Sequence, residues 1–299
     1  MEPRVSVSQI TTVRSGFADD LRRYAAAGLD GIGVWESKIP DGGDAEALEA
    51  FEASGLESAA AVPLFPSILP LPLLGGPDDP AERVEAFCRS LERLAAFRPS
   101  GVVCLTGTGD GRDADEARSV VVDGLRTIAH EAERLGLRIA VEPYQRESAE
   151  LWSIASSIPE AVELVEDAGD PPALGIQFDV WHLWNTPSLY DDIATEIDRF
   201  AGVHICDIRD PTRGWADRVL PGDGAADLPA ILGALDEAGW DGFYDLEIFS
   251  DNGAFGSAYP DSLWDLDAAE LARRGRDAFF NCWSKRRVTA RAVDRRGDT

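Results

Sequence analysis

Eight short β-rich runs alternate with amphipathic helical stretches along all 299 residues. That alternation restricts the architectures open to the chain more than any other feature. The runs are Val5–Ser8, Gly31–Trp35, Glu57–Val62, Gly101–Leu105, Arg138–Glu142, Leu174–Val180, Val203–Ile208 and Phe243–Ile248. Apolar spacing predicts helices between them over Phe17–Ala27, Ala45–Ser54, Pro80–Phe97, Ala114–Leu135, Pro159–Ala168, Tyr190–Arg199 and Leu228–Ala238. A last helix is predicted near Ala268–Phe280. Several helices are followed by glycine, the residue that takes the left-handed capping conformation most cheaply. The phrases AAAGLDGIGVW, ERLGLRIAVE and DEAGWDGFYDLE each lead tightly from helix to strand.

Parallel neighbours need crossover connections, and eight βα units are the number that closes a barrel. An open doubly wound sheet is the rival, but no glycine-rich phosphate fingerprint follows the first strand. The expected fold is therefore α/β, a single (β/α)8 TIM barrel over residues 1–284. The basic stretch 285–299 lacks apolar periodicity and reads as a solvated tail. Two long loops, Pro63–Asp79 and Ser250–Asp267, follow strands and belong over the C-terminal face. The first reads equally as a lid and as rim packing.

Charge narrows the partners. Lysine and arginine total 28 against 54 aspartate and glutamate, a net charge of 28 − 54 = −26. Binding nucleic acid needs a basic face to neutralise phosphates, so that class is set aside. No apolar run reaches the eighteen residues of a membrane span. The opening MEPRVSVSQITT lacks the layout of a signal peptide, which makes the cytoplasm the expected compartment. Cys88, Cys104, Cys206 and Cys282 form no CxxC pair and read as small buried hydrophobes.

In a barrel, chemistry sits where strands end. The late strands end on Glu142 in IAVEPY, Asp179 in GIQFDVWHLW, His204 in GVHICDIRD and Glu247 in FYDLEIFS. Three carboxylates and an imidazole crowded into one mouth are costly without a cation, because neighbouring like charges oppose ionisation. One divalent metal resolves the conflict. A donor set without thiolate suits manganese best, with magnesium or cobalt next and zinc less so. His182, just past Asp179, is expected to touch substrate, whereas His130 in a helical stretch reads as structural. Arg209 beyond His204 could clamp a substrate oxygen through its fork of donors. Trp35 is an expected apolar wall for a sugar face, alongside Trp181, Phe249 and Trp264. Glu36 and Lys38 follow it, and Asp227 is placed to cap the helix at Leu228. The Gly107-Thr108-Gly109-Asp110 stretch lacks the lysine and hydroxyl residue of a P-loop. Pro221-Gly222-Asp223-Gly224 demands a tight turn, and its glycines would also admit a ligand close to the backbone.

The phrases VEPY, FDVWH, VHICDIRD and LPGDGAADLPAILGALDEAGWDGFYDLEIF resemble the xylose-isomerase-like barrel superfamily of sugar isomerases and epimerases, which also includes endonuclease IV. The resemblance implies that Glu142, Asp179, His204 and Glu247 bind one divalent cation, and that His182 and Arg209 contact substrate. Ketose 3-epimerases of this group carry a further glutamate six residues after the first metal glutamate. Here Ser148 stands there, with Glu147 one residue short. The endonuclease branch uses many more histidines than the three available here.

Such a site moves a proton at carbon beside a carbonyl, through an enediolate, with Glu142 and Glu247 as the acid–base pair. The expected activity is isomerisation or epimerisation of a small polyhydroxylated substrate: a sugar, keto-sugar or cyclitol without phosphate. A lyase of the same architecture stays open, as a keto-inositol dehydratase or a C-glycoside-cleaving subunit. So does a non-catalytic sugar-binding barrel. For assembly the resemblance implies a homodimer or tetramer.

Overall fold

The computed structural model describes residues 2–71, 73–109, 111–145 and 152–287. Eight parallel strands close on themselves: β1 (Arg4–Ser8), β2 (Gly31–Trp35), β3 (Glu57–Val62), β4 (Gly101–Cys104), β5 (Ile139–Val141), β6 (Leu174–Asp179), β7 (Phe200–Ile205) and β10 (Phe243–Leu246). Each pairs with its sequence neighbour in the barrel, and β10 closes the ring on β1. The remaining strands, β8 (Asp207–Ile208) and β9 (Arg218–Val219), form a separate antiparallel ribbon. The (β/α)8 barrel read from the alternation is the fold observed. No described helix is long and apolar enough to cross a membrane.

Local sequence explains where the helices begin and end. Asp79, Asp113, Ser157, Asp227 and Asp267 each accept a backbone N–H at a helix N-terminus. The Ala114–Leu135 helix stops where Gly136 adopts φ 68°, a conformation costly for other residues. One apolar layer lies between strands and helices, where Tyr244 packs on Phe279 and Trp283 of the Ala268–Ser284 helix. Inside the barrel the filling is more polar. Gly33 leaves room for Asp245, with whose Oδ2 an added Cβ would clash.

The Pro63–Asp79 loop packs. Ile68, Leu69 and Leu71 are buried, Ser67 bridges to Leu105, and Glu36 accepts the amide of Leu64. Arg83, itself buried, donates to the Ser67 carbonyl (3.2 Å), the Gly75 carbonyl (3.0 Å) and the Pro77 carbonyl (2.8 Å). An anchored loop of this kind is rim, not lid. Replacing Arg83 with alanine orphans those acceptors, a loss of roughly 2–4 kcal/mol. A melt of the R83A protein should therefore fall by on the order of 5–10 °C, and an unchanged melt would release the loop from its assigned role.

Candidate metal and catalytic site

Strand register brings the late polar residues into one layer. Asp179 ends β6 in register with His204 on β7, and His204 is in register with Asp245 on β10. Side chains alternate along a strand, so Glu247 continues on the face of Asp245. Glu142 directly follows β5, its amide donating to the Cys104 carbonyl. All four expected ligands are buried.

Their polar atoms converge. His204 Nδ1 lies 3.3 Å from Glu247 Oε2, 3.7 Å from Glu142 Oε1 and 3.9 Å from Asp179 Oδ2. One donor atom each from Glu142, Asp179 and His204 fall within 4.8 Å of one another. Glu142 Oε1 and both nitrogens of His204 are buried without a hydrogen-bond partner. Unpartnered buried acceptors are costly, and a shared divalent cation satisfies several at once. Two ligands each ~2.1 Å from one ion stand about this far apart. The residues present thus fit a divalent cation, with Glu247 beside them.

The carboxylates are not alike. Burial pushes Glu142 up to about 7, against the pull of His204. Burial also acts on Glu247, but His204 and Arg218 outweigh it and hold this carboxyl below the ordinary range. Burial tends to lower His204, yet the facing Glu247 and Glu142 keep it well above the usual imidazole value. Divergent environments of this kind separate an acid from a base.

Arg218 was not anticipated from the sequence. Its Nη1 donates to Asp179 Oδ2 (2.9 Å), Glu247 Oε2 (3.1 Å) and the Glu247 carbonyl (3.2 Å). The guanidinium rests over Phe249 at 4.9 Å and Trp181 at 5.4 Å from the ring centroids. It is buried, and burial's downward pull is overcome by the carboxylates, so it stays charged. Arg209, the expected clamp, points elsewhere: it pairs with Asp217 (3.1 Å) and Asp261 (2.8 Å), one-third exposed and off the pocket. The reason is the ribbon. The seventh run does not continue to Ile208 as one strand; β7 stops at Ile205, and β8 pairs with β9 so that Ile208 faces Arg218.

His182 sits where a substrate contact was expected. Its Nε2 lies 3.8 Å from Asp179 Oδ2, and its ring is 3.6 Å from that of Tyr144. Neither nitrogen has a partner, and burial together with Arg218 holds the ring well below its usual value, hence neutral. Trp35 lines the pocket, its indole N–H donating to Ser8 Oγ at 2.8 Å. Glu36 and Lys38 are structural instead: Glu36 holds the Leu64 amide, and Lys38 pairs with Asp20 at 2.8 Å. The glycine turn is structural too, because Asp207 accepts from the amides of Gly222 (2.9 Å) and Ala226 (3.0 Å). The amide of Gly107 donates to the Trp152 carbonyl at 3.1 Å. Asp110, Glu147, Ser148 and residues 288–299 of the expected tail lie outside the described residues.

Above the carboxylates opens a pocket of about 620 Å³, part of it continuous with solvent. Glu142, His182, His204, Arg218 and Glu247 make its polar floor, and its walls are mainly aromatic and aliphatic.

Comparison with known proteins bears on the fold. The family model described as "Xylose isomerase-like TIM barrel" matches residues 21–282. A Streptomyces coelicolor protein named "Putative hydroxypyruvate isomerase" is 26% identical over 235 residues, covering 75% of this chain and 82% of its own. A solved structure from Sinorhizobium meliloti 1021 superposes with a TM-score of 0.81 at 26% identity, over 93% of this chain and 98% of the other. The IOLI protein, solved with a zinc atom, gives a TM-score of 0.76 at 22% identity over 96% of this chain and 100% of its own.

Proposed function

The chain belongs to the xylose isomerase-like TIM barrel family, and from that premise we propose that it is a metal-dependent isomerase or epimerase of an α-hydroxycarbonyl substrate related to the small sugars. The observation that carries this reading is the pair of buried, unpartnered atoms, Glu142 Oε1 and His204 Nδ1, facing each other at 3.7 Å beside Asp179 and Glu247. The named activity of the Streptomyces relative, on a hydroxy-carbonyl acid, supports the reaction class.

Glu142, Asp179, His204 and Glu247 would hold the cation, manganese by preference and magnesium or cobalt next. When bound it supplies Lewis acidity to a carbonyl and its neighbouring hydroxyl. The rest is the work of the chain's own groups. Glu142 and Glu247 would act as the acid–base pair, one taking the proton from carbon and the other returning or relaying it. Arg218 and neutral His182 offer donors to substrate oxygens on the polar floor. Return of the proton to the neighbouring carbon gives an isomerase, and return to the opposite face gives an epimerase.

Incubation with manganese in deuterated water tests this reading. Hydroxypyruvate, a series of keto-sugars and cyclitols should be followed by mass spectrometry. Deuterium uptake without other mass change is the expected result. Loss of water or release of an aglycone would make the protein a lyase, and no exchange with any dication would overturn the proton-transfer reading.

A further inference from the structure

His204 turns its two ring nitrogens toward different carboxyl groups. Glu247, Glu142 and Asp179 approach Nδ1 most closely, whereas Asp245 comes nearest to Nε2, with Oδ2 at 3.8 Å. Asp245 is buried and stands two residues before Glu247 on β10, in register with His204 on one side and Ser6 on the other. Its two oxygens have unlike surroundings. Ser6 Oγ donates to Oδ1 at 2.7 Å, while Oδ2 is buried without a hydrogen-bond partner, as is His204 Nε2. Gly33 on β2 keeps the space beside Oδ2 clear, since any Cβ there would clash with it.

A carboxyl oxygen kept from water without a partner is costly, and the facing imidazole N–H is the group that can complete it. At 3.8 Å the pair stands wider than a hydrogen bond. Functional hydrogen bonds are often long in a free protein and tighten on binding. The two nitrogens of an imidazole are not independent. A carboxyl that accepts from one of them fixes the tautomer in which the other carries the lone pair, and holds the ring's orientation. We propose that Asp245 is a positioning residue: it accepts the Nε2–H of His204, so that Nδ1 offers its lone pair to the cation held with Glu142, Asp179 and Glu247. Ser6 in turn anchors Asp245 from the other side. The inference rests on the metal reading proposed above and deepens it, by assigning the group that aims His204.

Manganese titration of the full chain, read from the paramagnetic resonance of the free ion, measures affinity apart from turnover. D245L keeps a branched side chain but removes the acceptor, D245A removes it without added bulk, and D245N keeps an oxygen that can accept. The leucine and alanine variants should bind manganese on the order of 10- to 100-fold more weakly than the parent, and D245N should recover part of the loss. D245A decides the matter if D245L melts early. A second readout comes from nitrogen-labelled histidine in the zinc-loaded proteins, where His130, His182 and His204 are the only contributors. The parent should show a His204 Nε2–H signal that lies downfield and exchanges slowly. That signal should move upfield and exchange faster in D245L and D245A, and persist in D245N. Parental manganese affinity in the variants without an acceptor, or an affinity loss that leaves the Nε2–H signal unchanged, would overturn the inference while the metal reading stands. A parent protein that binds no manganese would overturn the metal reading, and the inference with it.

Discussion

The E142Q protein is expected to lose turnover by on the order of a thousandfold or more, while melting within a few degrees of the parent. The amide keeps the shape of the side chain but removes both its anionic charge and its ability to exchange a proton. Glu142 Oε1 has no hydrogen-bond partner to lose. Removing one negative charge from the crowded floor relieves repulsion from Asp179 and Glu247 and gives up attraction to His204, and the two effects oppose each other in the metal-free fold. Manganese titration should show weakened binding in the same variant. His130, exposed on the Ala114–Leu135 helix, supplies the control: H130A should retain full activity. If E142Q turns over normally and binds manganese like the parent, the floor of this barrel is not where the chemistry occurs.

Periodicity carried most of the architecture because a parallel barrel repeats one local instruction eight times. Gly31–Trp35 and Glu57–Val62 form strands over the very spans read from apolar alternation. The four strand-end residues were legible for a related reason. A carboxylate or imidazole terminating a buried run must face either the mouth or a helix layer, and the family resemblance favoured the mouth. Register then did what sequence could not show, by setting Asp179 beside His204 and His204 beside Asp245.

Arg218 illustrates the limit of such reading. It lies fourteen positions beyond His204, and only the β8–β9 ribbon returns it to the floor. Two residues of antiparallel pairing are too short to leave an alternating pattern in the sequence. Arg209, immediately after the predicted strand, was therefore the natural candidate for the cation at the mouth. In a ribbon, neighbouring positions project to opposite sides, which places Arg209 on Asp217 and Asp261 instead. The Pro63–Asp79 loop was ambiguous for a different reason. Leucine and proline content suits a lid and a packed rim alike, and the choice was made by Arg83, a residue from the following helix.

Replacing Arg218 with methionine tests the floor from the side of folding rather than catalysis. The guanidinium is the buried counter-charge to Asp179 and Glu247, at 2.9 and 3.1 Å. Breaking a buried ion pair by removing one partner strands the other charge, at a cost of about 3–5 kcal/mol, so the metal-free R218M protein should melt on the order of 10 °C lower. The loss should deepen with rising pH. Without their counter-charge the two carboxyls hold protons more tightly in the folded state than in the unfolded one, and a fold that binds the extra protons loses stability as protons become scarce. Manganese should recover much of the loss, because a dication bound only by the folded floor replaces the missing positive charge and stabilises by mass action. A parent protein treated the same way, with Arg218 already neutralising two carboxylates, should gain less from the metal. If manganese fails to raise the R218M melt at pH 8 while Asp179 and Glu247 remain intact, those carboxylates do not share a cation, and the metal centre assigned to this barrel is lost with them.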